Sequence, residues 1–255
     1  MVPAYRSPRG LAMAQQTTMD RVLRRMVLSV CGVGSHLNLG VRNTLSVSGL
    51  EHLAGLPERN VLIVSNHQTY FLDVMAIFHA VTSGRTSPLS GVRAPLKMSF
   101  VAAHETMKER GLLPKFFAAA GAVCVKRTWR DGEREVSRPL DTADLFNIGR
   151  ALNAGWLITF PQGTTRPGAP GRRGTAHLIL HHRPVVVPVV LDGFSTAFDK
   201  TGLKVRAPGT ALSLRFKAPI EVDEQGDTDE VLAQVMEGIE QGQPASRERS
   251  SAAQR

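Results

Sequence analysis

A histidine and an aspartate at the end of an apolar run are the residues of this chain best placed to do chemistry. Residues 61–64 are continuously apolar and too few for a helix, which is typical of a strand buried on both faces of a parallel sheet. His67 follows where such a strand leaves the sheet, the edge at which open α/β sheets bind ligands. If a helix follows, Asp73 can reach back to one ring nitrogen of His67 while the other accepts a proton. The pattern predicts a general base and the acid that orients it.

Four sequence blocks together resemble those of the glycerolipid acyltransferases, the family of 1-acylglycerol-3-phosphate acyltransferases and their relatives. The blocks read Ser-Asn-His-Gln-Thr-Tyr-Phe-Leu-Asp at 65–73, Gly-Ala-Val-Cys-Val-Lys-Arg at 121–127, Phe-Pro-Gln-Gly-Thr-Thr-Arg at 160–166 and Val-Pro-Val-Val-Leu-Asp-Gly at 187–193. Their order and spacing agree with the family. The resemblance implies transfer of an acyl group, with acyl-CoA or acyl-carrier protein as co-substrate and no other cofactor.

Two positions depart from the family pattern. The family has four residues between its His and Asp, whereas five separate His67 from Asp73, and Gln162 stands where the third block usually has Glu. One extra residue rotates a helical position by about 100°. We therefore expect the helix after His67 to bulge in its first turn or to start late. Gln162 keeps hydrogen-bonding capacity without charge. A preferred acceptor different from that of the family is consistent with this change.

The resemblance also implies roles for the first block. His67 would remove the proton of the acceptor hydroxyl, and Asp73 would fix the ring tautomer and stabilise the imidazolium that forms. Asn66 is expected either to position the ring or to donate toward the oxyanion. Because the sequence has no Gly-x-Ser-x-Gly motif to supply a covalent intermediate, direct transfer in a ternary complex is the simpler mechanism.

The predicted acceptor-binding residues lie at or after the ends of predicted strands. They are Lys126, Arg127, Gln162, Gly163, Thr164, Thr165 and Arg166. Arg127 and Arg166 match family positions assigned to the acceptor's phosphate, whose oxygens suit a planar guanidinium fork, and Lys126 is added by adjacency. The turn at 163–165 supplies amides and hydroxyls for an anion cradle. A solvated basic edge without a ligand is the competing interpretation.

Charge and composition restrict the choice of partner. The formal net charge is +9; residues 1–45 contain six Arg and one Asp, whereas residues 221–240 contain eight acidic residues and no Lys or Arg. This distribution suits anionic lipid headgroups or phosphorylated substrates. Only 5% of residues are aromatic and no nucleic-acid motif is recognisable, so nucleic acid is not an expected partner. No metal site is expected, because His181 and His182 are neighbours and lack metal-ligand spacing.

The segment at 19–33 combines a basic cluster with moderately apolar residues. It falls short of the ~20 apolar residues that span a bilayer. One interpretation is a helix lying in the membrane interface with Arg21, Arg24 and Arg25 toward phosphates. The other is a helix that packs its Val and Leu face on the core. The first predicts a peripheral or monotopic protein on the cytoplasmic face of an anionic membrane.

Short apolar strands and amphipathic helices alternate along the rest of the chain. Strands are predicted at 44–50, 61–64, 98–102, 122–125, 156–160, 185–191 and 212–216. Helices are predicted at 104–118, 142–154, 175–181 and 229–239, and residues 74–81 complete the helix that follows His67. This alternation predicts a single α/β domain with a mostly parallel central sheet flanked by helices. The predicted boundaries are a disordered segment at 1–18, the membrane-interface helical segment at 19–43, the acyltransferase domain at 44–241 and a disordered tail at 242–255.

The sequence thus predicts a membrane-associated O-acyltransferase that moves a fatty acyl group to a lysophospholipid. The first-ranked acceptor is 1-acyl-sn-glycerol-3-phosphate, which would give phosphatidic acid. Because the first and third blocks are altered, the same chemistry on another lyso-lipid, such as an ornithine-type lipid, is an alternative. A further alternative is a catalytically inactive lipid-binding module of the same fold, in which the longer interval between His67 and Asp73 disables catalysis.

Overall fold

Within the residues that the computed structural model describes, the chain forms nine strands and six α-helices. The described residues are 18–83, 89, 97–103, 120–125, 130–131, 134–135, 142–223 and 226–242. The helix expected at 104–118 lies outside them, as do residues 1–17 and 243–255 of the two expected tails.

Seven of the strands form one sheet. The strands are β1 (Thr44–Ser48), β2 (Val61–Ser65), β3 (Met98–Ala103), β4 (Ala122–Val125), β5 (Arg130–Asp131), β6 (Arg134–Glu135), β7 (Trp156–Thr159), β8 (Val185–Asp192) and β9 (Ala211–Phe216). The sheet order is β1-β9-β8-β2-β7-β3-β4, and β5 pairs with β6 separately. Every neighbouring pair in this sheet is parallel except β8 and β9. The predicted mostly parallel sheet is confirmed.

Helices cover both faces of this sheet. They are α1 (Thr18–His36), α2 (Leu72–Ser83), α3 (Thr142–Ala154), α4 (Arg173–His182), α5 (Phe194–Ala197) and α6 (Thr228–Gly238). Successive side chains of a strand point to opposite faces. Accordingly, Val61 and Ile63 of β2 join one apolar cluster with α1, α2 and α5, whereas Leu62 and Val64 join another with α3, α4 and α6. The fold is therefore α/β, as predicted, and the continuous apolar run at 61–64 reflects burial on both faces.

Helix α1 packs one of its faces on the domain. Val27 and Leu28 are buried in the same cluster as α2, so this face fits the core-packing interpretation. The expectation that Arg24 faces phosphates is wrong, because Arg24 is buried and its guanidinium donates to the backbone carbonyl of Met98 at the start of β3. Position 24 lies one helical turn before 27 and 28 and shares their inward face. Burial, together with the charge of Arg25, lowers the pKa of Arg24.

The opposite face of α1 is apolar and exposed. Its exposed large apolar residues, continuing into the π-helical turn at Leu37–Val41, are Met19, Val22, Leu23, Met26, Val30, Val33, Leu37 and Val41. They recur every three or four residues, which is the period of one helix face. We call these residues the outer stripe. In the part of the chain that the structure describes, no helix combines the length and apolar content needed to cross a membrane.

Replacement of Leu28 by Ala tests whether α1 is an integral part of the domain. Leu28 is 0% exposed, so its truncation should leave a cavity and lower the free energy of unfolding by about 2–5 kcal/mol. Val30→Ala in the outer stripe is the matched control, with an expected change within about 0.5 kcal/mol. Urea unfolding followed by circular dichroism measures both. Equal effects at the two positions would show that α1 does not pack as described.

Candidate active site

The loops that follow β2, β7 and β8 meet at one edge of the sheet. These three strands are parallel, with β2 between the other two, so their carboxyl ends are adjacent. His67 follows β2, Gly163 follows β7 and Gly193 follows β8. The loop that carries His67 therefore lies between the loops that follow β7 and β8. This is the crevice in which open α/β sheets bind ligands.

The structure brings the side chains of His67 and Asp73 into contact. Nδ1 of His67 lies 2.9 Å from Oδ2 of Asp73. Helix α2 begins only at Leu72, so an irregular loop follows His67 and Asp73 lies in the first turn of the helix. Of the two predicted alternatives, a bulged first turn or a late start, the structure shows the late start, which accommodates all five intervening residues. The catalytic roles of His67 and Asp73 stay predictions.

The carboxylate of Asp73 is buried and held by donors from the loop. Its Oδ2 accepts from the N–H of Gln68 at 2.6 Å and from the N–H of Thr69 at 2.9 Å. Its Oδ1 accepts from the Thr69 hydroxyl at 2.7 Å. Asp73 is 0% exposed, and its place in the first turn of α2 is where the helix dipole stabilises negative charge. These contacts satisfy both carboxylate oxygens and fix Oδ2 toward His67.

The imidazole of His67 lies between Asp73 and an aromatic ring. The rings of His67 and Phe160 stack with their centroids 4.0 Å apart and an interplanar angle of 21°. Because Nδ1 faces the carboxylate, it donates its proton to Asp73, and Nε2 carries the lone pair. This is the tautomer that a general base requires. The ring contact was not expected from the sequence, although the position of Phe160 at the start of the third block was a usable signal.

Asn66 and Gln68 attach the loop to the end of β8. The Asn66 amide donates to the carbonyl of Leu191 and accepts from its N–H, at 2.8 Å in both cases. Gln68 donates to the same carbonyl at 2.8 Å and accepts from the N–H of Ser195 in α5 at 3.1 Å. Asn66 therefore joins two strands, and its expected contact with substrate stays a prediction. The role of Gln68 was not expected from the sequence.

Gln162 is buried and holds the turn that follows β7. It is 3% exposed, and its amide donates to the carbonyl of Ala169 at 2.8 Å and to Oε1 of Gln241 at 3.2 Å. The same Oε1 accepts from the N–H of Gly168 at 3.2 Å. Gln162 and Gln241 thus hold the end of the turn through hydrogen bonds to the backbone of Gly168 and Ala169. The expected contact of Gln162 with the acceptor stays a prediction.

The turn itself presents small groups and one exposed cation. Gly163 has φ 61°, and a Cβ there would lie 2.9 Å from Nε of Arg172, so only glycine fits without displacement. The Thr164 hydroxyl accepts from the N–H of Arg166 at 3.3 Å. The side chain of Arg166 is exposed. A cationic turn therefore lies beside the loop of His67.

Of the three remaining residues that were predicted to bind an anion, the structure describes one. Thr165 is half-buried in the same turn as Arg166. Lys126 and Arg127 follow β4 and lie outside the described residues. The expected contacts of all these residues with a phosphate stay predictions.

Gln162→Glu tests the hydrogen bonds inside the turn. The new carboxylate would face the carbonyl of Ala169 with no proton to donate, so we expect a loss of about 1–3 kcal/mol in the free energy of unfolding at neutral pH. Protonation restores a donor, which raises the pKa of the new carboxyl in the folded state and makes the loss shrink as pH falls. Thermal unfolding at several pH values measures this, with the exposed Gln234→Glu as control. A pH-independent or absent loss would contradict the hydrogen-bond assignment.

Similarity to known proteins covers most of the chain. A crystal structure of "the 1-acyl-sn-glycerophosphate (LPA) acyltransferase, PlsC, from Thermotoga maritima" is similar, with a TM-score of 0.56, 19% sequence identity, and coverage of 85% of this chain and 78% of that one. No curated protein sequence matches. The model of the Acyltransferase family matches residues 44–192, a segment that contains His67, Asp73 and Arg166. Because that match spans more than half of the sequence, the chain belongs to the Acyltransferase family.

Proposed function

We propose that this acyltransferase moves a fatty acyl group from acyl-CoA or acyl-carrier protein to the hydroxyl of a lysophospholipid. The first acceptor proposed is 1-acyl-sn-glycerol-3-phosphate, with phosphatidic acid as product. The 2.9 Å contact between His67 and Asp73, at the carboxyl edge of a parallel sheet, is the observation that carries the proposal. The name of the similar Thermotoga maritima protein, a 1-acyl-sn-glycerophosphate acyltransferase, supports the choice of acceptor.

The geometry of the two residues fits general-base catalysis of a direct transfer. Nε2 of His67 takes the hydroxyl proton while the acceptor oxygen attacks the thioester carbonyl. Asp73 stabilises the imidazolium that results. The tetrahedral intermediate then collapses, the carbon–sulfur bond breaks, and the departing thiolate receives the proton from the imidazolium. An ester and a free thiol leave, and His67 returns to its neutral form.

An anionic acceptor suits the turn after β7. This strand is the neighbour of β2, and the exposed guanidinium of Arg166 can present two parallel N–H groups to phosphate oxygens. The hydroxyls of Thr164 and Thr165 add polar contacts in the same turn. Arg127, by the resemblance, and Lys126, by its adjacency to Arg127, would contribute two further cations. A phosphate near the reacting hydroxyl, as in 1-acyl-sn-glycerol-3-phosphate, matches this arrangement.

The two alternatives differ in how well the structure supports them. The inactive lipid-binding module required the longer interval to separate His67 from Asp73, and their contact removes that ground. A different lyso-lipid acceptor, such as an ornithine-type lipid, keeps support from Gln162, because this turn lacks the carboxylate that the family usually has there. Acceptor preference therefore needs a direct comparison.

We also propose that the outer stripe of α1 attaches the protein to an anionic membrane surface, peripherally or monotopically on the cytoplasmic face. Met26 and Val30 in the stripe are each 61% exposed, and Arg21 is exposed on the same helix. An amphipathic helix with an apolar outer face and basic residues binds the interface of anionic bilayers. The lyso-lipid acceptor would be reached from that surface.

Replacement of the base tests the proposed reaction. His67→Ala should lower kcat by about 10²–10⁴-fold because nothing then accepts the hydroxyl proton, and Asp73→Asn should cost up to about 10⁴-fold through loss of the correct tautomer. Release of thiol from acyl-CoA is measured against a panel of lyso-lipids. His177→Ala, at an exposed position on α4, is the control and should keep wild-type turnover.

The outcomes of this experiment separate the candidate functions. Full turnover by the His67→Ala enzyme would overturn the base role. The rank of acceptors distinguishes 1-acyl-sn-glycerol-3-phosphate from an ornithine-type lyso-lipid. Absence of turnover by the wild type with both acyl-CoA and acyl-carrier protein would favour the inactive module.

Charged substitutions in the outer stripe test membrane attachment. The double variant Met26→Glu, Val30→Glu is expected to bind vesicles of anionic phospholipid at least about tenfold more weakly, since two apolar side chains no longer enter the interface. Co-sedimentation measures the bound fraction. Phe146→Glu is the control, because Phe146 is 65% exposed on α3, over the other face of the sheet. Equal weakening in the control would argue against α1 as the membrane contact.

A further inference from the structure

His67 and Asp73 form a dyad, and we call the five residues between them, 68–72, the dyad loop. A segment far along the chain forms hydrogen bonds with this loop. The backbone N–H of Tyr70 donates to the carbonyl of Lys200 at 3.0 Å, and the N–H of Phe71 donates to the carbonyl of Thr201 at 3.2 Å. These two amides come immediately before α2. Their bonds therefore influence where the helix starts and where its first turn points.

The supporting segment is a hairpin. Phe198 and Val205 pair as an antiparallel bridge, and we call the residues between and including them the 198–205 hairpin. Asp199 shapes its tip, because Oδ1 of Asp199 accepts from the N–H of Leu203 and from the N–H of Lys204, at 3.0 Å in both cases. The tip thus depends on the hydrogen bonds of one carboxylate.

Gly202 packs closely against the dyad loop. It has φ 81°, and a Cβ there would lie 2.7 Å from Cβ of Leu72, 3.0 Å from its N, and 3.0 Å from Oγ1 of Thr69. That Thr69 hydroxyl donates to Oδ1 of Asp73 at 2.7 Å. A side chain at position 202 must therefore displace the groups that orient Asp73.

A ring contact joins the hairpin to the same loop. Nζ of Lys200 lies 5.3 Å from the centroid of the Tyr70 ring, within the range of a cation–π interaction. The centroid of that ring is 6.2 Å from the centroid of the His67 ring. The hairpin thus contacts the dyad loop through backbone, side chain and close steric packing.

We propose that the 198–205 hairpin is a positioning element for His67 and Asp73, with Gly202 as its essential contact and Asp199 as the residue that shapes it. The inference rests on the proposed base role of His67. Neither Gly202 nor Asp199 touches a reacting atom; both act through the dyad loop. Changes in the hairpin should therefore lower kcat more than they change KM for the acceptor.

Gly202→Ala and Gly209→Ala form a matched pair. The two glycines have nearly equal φ, 81° and 79°, so both substitutions share the strain of a left-handed backbone, but nothing lies within 4 Å of a Cβ at Gly209. The added methyl group at position 202 should displace the side chains of His67 and Asp73 by up to about 1 Å. We therefore expect kcat of Gly202→Ala to be about 10–100-fold lower than that of Gly209→Ala. Thiol release gives kcat and KM, and thermal unfolding gives the shared stability effect.

A double-mutant cycle separates positioning from a general loss of stability. If Gly202 acts through Asp73, then Gly202→Ala should add little to the loss already caused by Asp73→Asn. Asp199→Ala is the second variant if Gly202→Ala does not fold, and it should lower kcat in the same direction. Asp199→Asn keeps one carbonyl acceptor for the tip and should restore part of that loss.

Hydrogen exchange gives a result that does not depend on turnover. The amides of Gln68 and Thr69 donate to Asp73 and should exchange at least about tenfold faster in Gly202→Ala than in Gly209→Ala. Equal exchange and equal kcat in the two variants, or a loss that adds fully to that of Asp73→Asn, would overturn the inference. A fully active His67→Ala enzyme would instead overturn the proposed function.

Discussion

The buried carboxylate of Asp73 is the constraint on which the site depends. A buried charge is tolerated only when it is paired and hydrogen-bonded, and here two backbone amides, one hydroxyl and the His67 ring surround it. The path of the loop, the start of α2 and the orientation of the ring are therefore coupled. None of the three can shift without leaving the carboxylate short of donors, and for this reason an irregular loop can hold the imidazole of His67 in one position.

The packing of the sheet fixes the position at which this loop begins. Both faces of β2 are buried under helices, so its position is determined by packing, and the polar run begins only where that packing ends. Asn66 and Gln68 then bind the backbone of β8 at Leu191. The polar residues beside His67 thus satisfy main-chain groups at the end of the sheet, where a buried unpaired amide or carbonyl would be costly.

Sequence reasoning located the sheet well because buried parallel strands appear as continuous apolar runs. The expected strands at 61–64 and 122–125 agree with β2 and β4 within one residue. The residue at which α2 starts was not expected from the sequence, because the loop before it bonds to a distant segment: the N–H of Tyr70 donates to the carbonyl of Lys200, which local sequence cannot bring near. Arg24 shows the opposite error. The sequence left the membrane-interface and core-packing interpretations of its helix open, and its helical spacing from Val27 and Leu28 places it on the inward face, where the structure buries it.

The layer of helices that contains Asp73 also contains the outer stripe. Helix α1 packs against α2, whose first turn carries Asp73, and Arg24 fastens α1 to the start of β3 through a buried hydrogen bond. A lyso-lipid has an acyl chain that prefers apolar surroundings and a hydroxyl that must reach the base. If the protein acts on such a lipid as proposed, it benefits because its apolar outer face and the imidazole of His67 are parts of one packed body. Helices α1 and α2 pack in a single buried cluster. A lipid bound along the outer stripe would therefore keep a fixed position relative to the imidazole of His67.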